Sequence, residues 1–223
     1  KNMPCQLFFI EKLDGTLEDL LDENVNQEII LSCILQISFA LHYLQKHFKF
    51  SHNDLHINNI MFTKTDKDYL YYKFNNIYFK LPTFGYLFKI IDFGRATFEF
   101  HNKFYMNDSF QKYGEAEGQF HLPFNYLNYN IHNRKSMNIN YNFDLCRLAT
   151  TILDVYEYDN ENEYGDKKEF FNFIYNMTLD KECNSLYELN DDFNMYIDIT
   201  NKACNALPVN IIQNSIFNKY RIK

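Results

Sequence analysis

The stretch "FSHNDLHINNIMF", Phe50 to Phe62, sets two His, one Asp and three Asn between apolar residues. Asn and Asp side chains compete with the backbone for hydrogen bonds, so the stretch is poor as helix and poor as buried strand. Its apolar ends nonetheless anchor it in a core. A chain that holds so many polar groups against its interior has a use for them.

The flanking sequence supplies the frame. Upstream, "QLFFIEKL" reads as a short strand that turns polar at Glu11. In "DGTLEDLL", Asp14-Gly15 is a turn signal, and Thr16 with Asp19 forms a capping box for a short helix. Val25 to Phe48 has Ile30, Ile34, Ile37, Leu41 and Leu44 at helical spacing, with Asn24 as its cap. Downstream, "YLYYKFNNIYFKL" reads as two strands around Asn75-Asn76, closed by Pro82 and Gly85. "YLFKII" is a further strand ending at Asp92. Phe93 to Asn142 shows no sustained period and reads as a long irregular segment. "FDLCRLATTILDV" is a helix with Leu145, Leu148, Ala149 and Ile152 on one face. Lys168 to Met177 and Asp192 to Ala206 are further helices, and Pro208 suits the first turn of a last one.

Composition narrows the class. The 223 residues suffice for one domain or a large part of a two-lobed one. Abundant Asn, Ile, Lys, Tyr and Phe suggest an AT-rich genome, which weakens any argument from Asn content alone. A net charge of −7 argues against a nucleic-acid surface and is compatible with a basic protein substrate, though equally ordinary for a soluble protein. The five Cys, without a C-x-x-C pair, read as reduced intracellular thiols. No uninterrupted apolar run approaches the ~20 residues of a membrane span, and no signal peptide is visible, so the expected location is intracellular, cytoplasmic or nuclear.

Three elements then fall into order: His52-Asn53-Asp54-Leu55 with Asn59 five residues after the Asp, a strand ending in Asp92-Phe93-Gly94, and a helix opening at Asp144. This constellation resembles the protein-kinase superfamily, whose catalytic loop reads H-R-D-L-x-x-x-N and whose metal loop reads D-F-G. "HNDLHINN" matches the first except at Asn53, and "IIDFGRA" matches the second. The fold implied is α+β and kinase-like: a mainly helical C-terminal lobe with small β-hairpins, the N-terminal lobe largely absent. Residues 1–13 would be the last N-lobe strand and hinge, and 14–223 the C-terminal lobe.

The resemblance implies ATP-dependent phosphoryl transfer to Ser/Thr hydroxyls of a protein, with ATP and Mg²⁺ as cofactors. Such transfer needs positioning and charge neutralisation more than covalent help. Asp54 would orient the hydroxyl and accept its proton. Asn59 and Asp92 would hold Mg²⁺, which takes hard oxygen ligands and few of them from protein. His52 would pack against Phe93, with Gly94 completing the metal loop. Asp144 would anchor the catalytic loop's backbone, or would serve only as a helix N-terminal charge. In "FFIEKLDG" the Glu11 carbonyl and Leu13 N–H would bind adenine, with Ile10 behind it and Met61 beneath.

The departures are specific. No G-x-G-x-x-G loop, V-A-I-K strand or helix Glu precedes the hinge, so the missing lobe is expected in the full-length chain, and the isolated chain is expected to be inactive. Asn53 replaces an Arg that in many kinases grips an activation-segment phosphate, and Asn lacks the charged fork. Arg95 is the nearest substitute. His56 stands where most Ser/Thr kinases have Lys. This pattern resembles atypical, haspin-like and large-DNA-virus kinases, and also aminoglycoside and choline phosphotransferases. In place of A-P-E the chain has "YGEAEGQFHLPF", whose Glu115 and Glu117 either bind basic substrate residues or are solvated loop charges. A small-molecule kinase and a non-catalytic pseudokinase-like binding module are the rival readings.

Overall fold

Between Thr16 and Lys49 the chain turns from a capped helical turn into the longest helix, and both boundaries follow from side-chain chemistry. The computed structural model describes residues 9–120, 139–159, 164–187 and 192–222. Gly15–Thr16 forms a two-residue strand, β1, and Leu17–Asp22 forms α1. The Thr16 hydroxyl accepts from the Asp19 N–H at 3.1 Å, and the Asp19 carboxylate accepts from the Thr16 N–H at 2.7 Å. The capping box expected there is present.

Gln27–Phe48 forms α2. It starts two residues later than the pattern implied, because the cap is Asn26 rather than Asn24; the Asn26 side chain accepts from Glu28 N–H at 2.9 Å. Asn24 instead takes φ 50° and turns the chain between the helices. Lys49, at φ 48°, ends α2 in the left-handed region. By length and composition α2 is the one helix among the described residues that could cross a membrane, a property that counting unbroken apolar residues overlooks. In the fold, Ile30, Leu31, Ile34, Leu35, Ile37 and Leu41 are buried in the protein core.

The rest is a mixed α+β arrangement with small antiparallel sheets. Ile60–Lys64 (β2) pairs with β1 on one side and with Tyr86–Ile90 (β5) on the other. The strand β2 was not expected: its apolar–polar alternation is short and follows the polar stretch directly. A Cβ at Gly15 would lie 2.8 Å from Phe62 Cζ, so the close approach of β1 to β2 requires glycine. Tyr69–Phe74 (β3) and Ile77–Pro82 (β4) form the expected hairpin, with Asn75 at φ 53° in its turn. The other edge of β4 pairs with Arg221–Ile222 (β8). Phe98–Phe100 (β6) and Lys103–Tyr105 (β7) form a small ribbon within the segment read as irregular.

The helices α3 (Phe143–Val155), α4 (Lys168–Met177), α5 (Asp192–Lys202) and α6 (Pro208–Gln213) complete the chain, α5 ending short of the expected Ala206. Leu145, Leu148, Ala149 and Ile152 of α3 are fully buried. One hydrophobic core runs from Leu17 to Tyr220. A second, smaller cluster gathers Phe110, Ala116 and Phe120. Residues 9–13 are not a strand: they have no ladder partner among the described residues, and Phe9 and Ile10 are exposed. Residues 6–8 of that expected strand lie outside the described residues.

Polar groups hold α2 to β5. The Gln36 amide donates to the Tyr86 carbonyl (3.3 Å) and accepts from the Phe88 N–H (3.0 Å). The Ser32 hydroxyl donates to the Pro82 carbonyl at 2.7 Å. Replacing Gln36 with Leu preserves bulk but leaves the Phe88 N–H unpartnered in the core. The expected cost is about 1–3 kcal/mol, read as a lower urea midpoint at unchanged slope; an unshifted midpoint would show that this bond contributes nothing.

Candidate functional site

The polar stretch is held from beneath by one buried carboxylate. Asp144, fully buried at the start of α3, accepts from the His52 N–H at 3.0 Å, the Asn53 N–H at 2.9 Å and the Ser51 hydroxyl at 3.4 Å. Burial pushes its pKa up, while the His52 charge and the two N–H groups act the other way. Asn53 takes φ 64°, a conformation that Asn tolerates better than most residues. Leu55, Ile57 and Ile60, all buried, fix the same stretch from its apolar side.

His52 is buried, and its Nε2–H donates to the Ile91 carbonyl at 2.8 Å. Its ring lies 5.7 Å from that of Phe93. This contact ties the polar stretch to the D-F-G turn, as the resemblance implied, with the imidazole in a packing position. Asp92, at φ 58°, accepts from the Gly94 N–H at 3.2 Å and caps the turn Phe93–Arg95.

Strand pairing brings the metal-ligand candidates together. Ile60 pairs with Ile90, and the Ile91 N–H donates to the Asn59 carbonyl at 3.0 Å. Asn59, just before β2, and Asp92, just after β5, therefore share one end of the sheet. The Asn59 amide nitrogen donates to the Asp54 carbonyl (2.8 Å) and to His56 Nε2 (3.1 Å). Its Oδ1 is left without a hydrogen bond among the described residues. No three His, Cys, Asp or Glu gather among the described residues to form an all-protein metal cage. One amide oxygen and one carboxylate suit a hard cation that draws its remaining ligands from phosphate and water.

Asp54 has partners that the sequence did not reveal. Tyr196 of α5 donates its hydroxyl to Asp54 Oδ1. Arg95 Nη1 lies 3.6 Å from the same oxygen. Burial raises the Tyr196 pKa, so the phenol keeps the proton it donates. Asp54 Oδ2 has no partner among the described residues. No sequence signal could mark Tyr196, because 142 residues separate it from Asp54. These groups line an open cavity of about 610 Å³ with His56, Asn58 and Arg147.

Asn53 stands where the kinase pattern has Arg, and its amide stitches the stretch to the following segment without charge. It donates to the Arg95 carbonyl (2.9 Å) and to Thr97 Oγ1 (3.2 Å). Backbone bonds pair Ser51 with Thr97, and Gln119 Nε2 donates to the Asn53 carbonyl at 3.2 Å. Aromatic packing adds Phe98 on Tyr105 and Phe110 against Phe120. Residues 121–138, the remainder of this segment up to residue 139, lie outside the described residues.

Other expected site residues are dispersed. Ile10 is 85% exposed and Glu11 pairs with Lys89 on the surface, whereas Leu13 and Met61 are half-buried. Among the described residues no strand pairs with the 9–13 segment, and its side-chain contact to the sheet is that of Glu11 with Lys89. Glu115 is bonded to Arg95 at 3.3 Å, and Glu117 accepts from the Tyr113 N–H at 2.6 Å. Both glutamates are exposed, each bonded to a neighbour in its own segment.

No protein-family model matches the chain. The chain is similar to uncharacterized protein 098R of Invertebrate iridescent virus 6, 34% identical over 102 residues, which is 39% of this chain. The match spans 17% of that viral protein's length.

Two measurements check this geometry. Asp144→Ala leaves two backbone N–H groups unpartnered in the core, at about 1–3 kcal/mol each, so the chemical-denaturation midpoint should fall by far more than for a surface substitution. Burial also holds the His56 pKa below its usual value, and Arg147 adds to this. A depressed histidine pKa gives stability that is present above the unfolded-state value near 6.5 and lost as pH falls through the folded-state value. The His56 ring resonance should therefore titrate below 6.5 by NMR; a midpoint above that value would contradict the burial and the Asn59 bond.

Proposed function

We propose that this chain is the C-terminal lobe of a protein-kinase-like phosphotransferase that moves the γ-phosphoryl group of ATP to a Ser or Thr hydroxyl of a protein. One observation carries the reading: the loop that Asp144 holds presents Asp54 and Asn59 beside Asp92, on paired strand ends, in the order that phosphoryl transfer uses.

Each residue has a task on this reading. Asp54 Oδ2 orients the acceptor hydroxyl and takes its proton, while Tyr196 and Arg95 hold Oδ1 and with it the carboxylate's rotation. Asn59 spends its amide N–H groups on the loop, which leaves Oδ1 as the oxygen that would serve a cation. Asn59 and Asp92 would hold Mg²⁺, which when bound supplies charge neutralisation at the phosphates. His56, kept neutral by burial, offers a ring near the acceptor without adding positive charge. The ring of Phe93, 54% exposed, suits cover by a further lobe that closes over the nucleotide. Similarity to an iridescent-virus protein suits action inside an infected cell. The neutral Asn53 network suits an enzyme whose segment is ordered without a phosphate.

The test uses the full-length protein with labelled ATP and a library of Ser and Thr peptides. Asp54→Asn should lower kcat by about 10²–10⁴ with little change in ATP affinity, since Asp54 faces the hydroxyl. Asp92→Asn should abolish transfer and weaken Mg²⁺-dependent nucleotide binding. Wild-type rate in the Asp54 variant would overturn the assignment. Nucleotide binding without any transfer would favour a binding module, and transfer to small alcohols alone would favour a small-molecule kinase.

A further inference from the structure

The cavity in front of Asp54 contains two guanidinium groups in different electrostatic situations. Arg95 is matched: its Nε lies 3.3 Å from Glu115 and its Nη1 lies 3.6 Å from Asp54. Arg147, one turn into α3 from Asp144, is not. Its Nη1 donates to Thr150 Oγ1 at 3.1 Å, and its guanidinium stands 4.9 Å from the centre of the Tyr196 ring. Its Nε is buried with no hydrogen-bond partner. No carboxylate pairs with Arg147 among the described residues.

A half-buried guanidinium without a counter-anion costs desolvation that one neutral hydrogen bond and one aromatic ring offset only in part. Among the described residues, no ion pair joins it to the acidic groups on the same cavity. Asp54 is bonded to Tyr196 and Arg95, and Glu18 accepts from the Asn58 amide at 3.1 Å. Asp154 also lines the cavity, seven residues along α3 from Arg147. A planar fork of donors in this position fits an oxyanion with two acceptor oxygens, a carboxylate or a phosphate.

We propose that the acceptor is an acidic peptide: a Ser or Thr segment whose neighbouring carboxylate or phosphate is gripped by Arg147 while its hydroxyl meets Asp54. This rests on the kinase reading above and names the substrate class of that site. It replaces the basic peptide that Glu115 and Glu117 suggested, because Glu115 already pairs with Arg95 and Glu117 already accepts from the Tyr113 N–H at the surface.

The experiment compares peptides identical except at the residues flanking one Ser, which are Glu, phosphoserine, Gln or Lys. Full-length wild-type protein and its Arg147→Gln and Arg147→Lys variants are each assayed in two ways. Fluorescence anisotropy measures peptide binding without requiring turnover, and labelled ATP measures transfer. Wild type should favour the Glu or phosphoserine peptide over the Lys peptide by about tenfold in affinity and in kcat/KM. The Glu and phosphoserine arms show which oxyanion fits. Arg147→Gln should erase most of that ratio, and Arg147→Lys, which keeps charge but loses the fork, should retain part of it. Equal or stronger binding of the Lys peptide overturns the proposal, as does a preference unchanged in a folded Arg147→Gln variant. Acidic-peptide binding that depends on Arg147, without any transfer, would uphold the acceptor site and overturn the kinase reading instead.

Discussion

Everything polar in this fold that converges on one place depends on a carboxylate that never reaches water. Asp144 collects the N–H groups of His52 and Asn53, and so imposes the left-handed turn at Asn53 that lifts Asp54 out of the core. A buried carboxylate is tolerable only when donors surround it, and here the donors are backbone groups that would otherwise be unpartnered themselves. The arrangement satisfies both sides at once and leaves the loop little freedom. His52 then reaches the Ile91 carbonyl, so the same anchor also sets the position of the D-F-G turn.

A second consequence is that the Asn53 part of the joint between the loop and the segment that follows is made without charge. Where an Arg would need an anion, Asn53 bonds to a carbonyl and a hydroxyl, groups that folding itself supplies. The joint therefore forms with the fold rather than in response to a modification. Aromatic contacts, one stacked and one edge-to-face, extend it outward as far as Phe120.

Charge is concentrated instead in the cavity before Asp54, where it is unevenly matched. Arg95 is neutralised twice over, and Tyr196 lies between it and Arg147, with its hydroxyl spent on Asp54. The net effect is one oriented carboxylate oxygen and one unmatched guanidinium facing the same space. The Tyr196 hydroxyl bond to Asp54 is worth more for being partly shielded from bulk water, with Tyr196 buried and Arg147 half-buried beside it.

Local chemistry was legible wherever the partners are near in the chain. The capping box at Thr16, the hairpin at Asn75-Asn76, the buried face of α3 and the proline at the start of α6 each rest on residues within a few positions of one another. The bond between Asn59 and the Asp54 carbonyl is of the same kind, which is why the spacing of that stretch could be read at all. Tertiary contact decided the rest. Asn24 and Asn26 are equivalent as letters, and the turn between α1 and α2 selects the second. Residues 9–13 have an apolar start but no ladder partner among the described residues, and a strand is a property of the pair rather than of the segment. Tyr196 meets Asp54, and Arg147 has no carboxylate partner among the described residues, because of how α5 and α3 pack side by side. A side chain's partner across more than a hundred residues is set by how the helices pack, and no local pattern of residues encodes it.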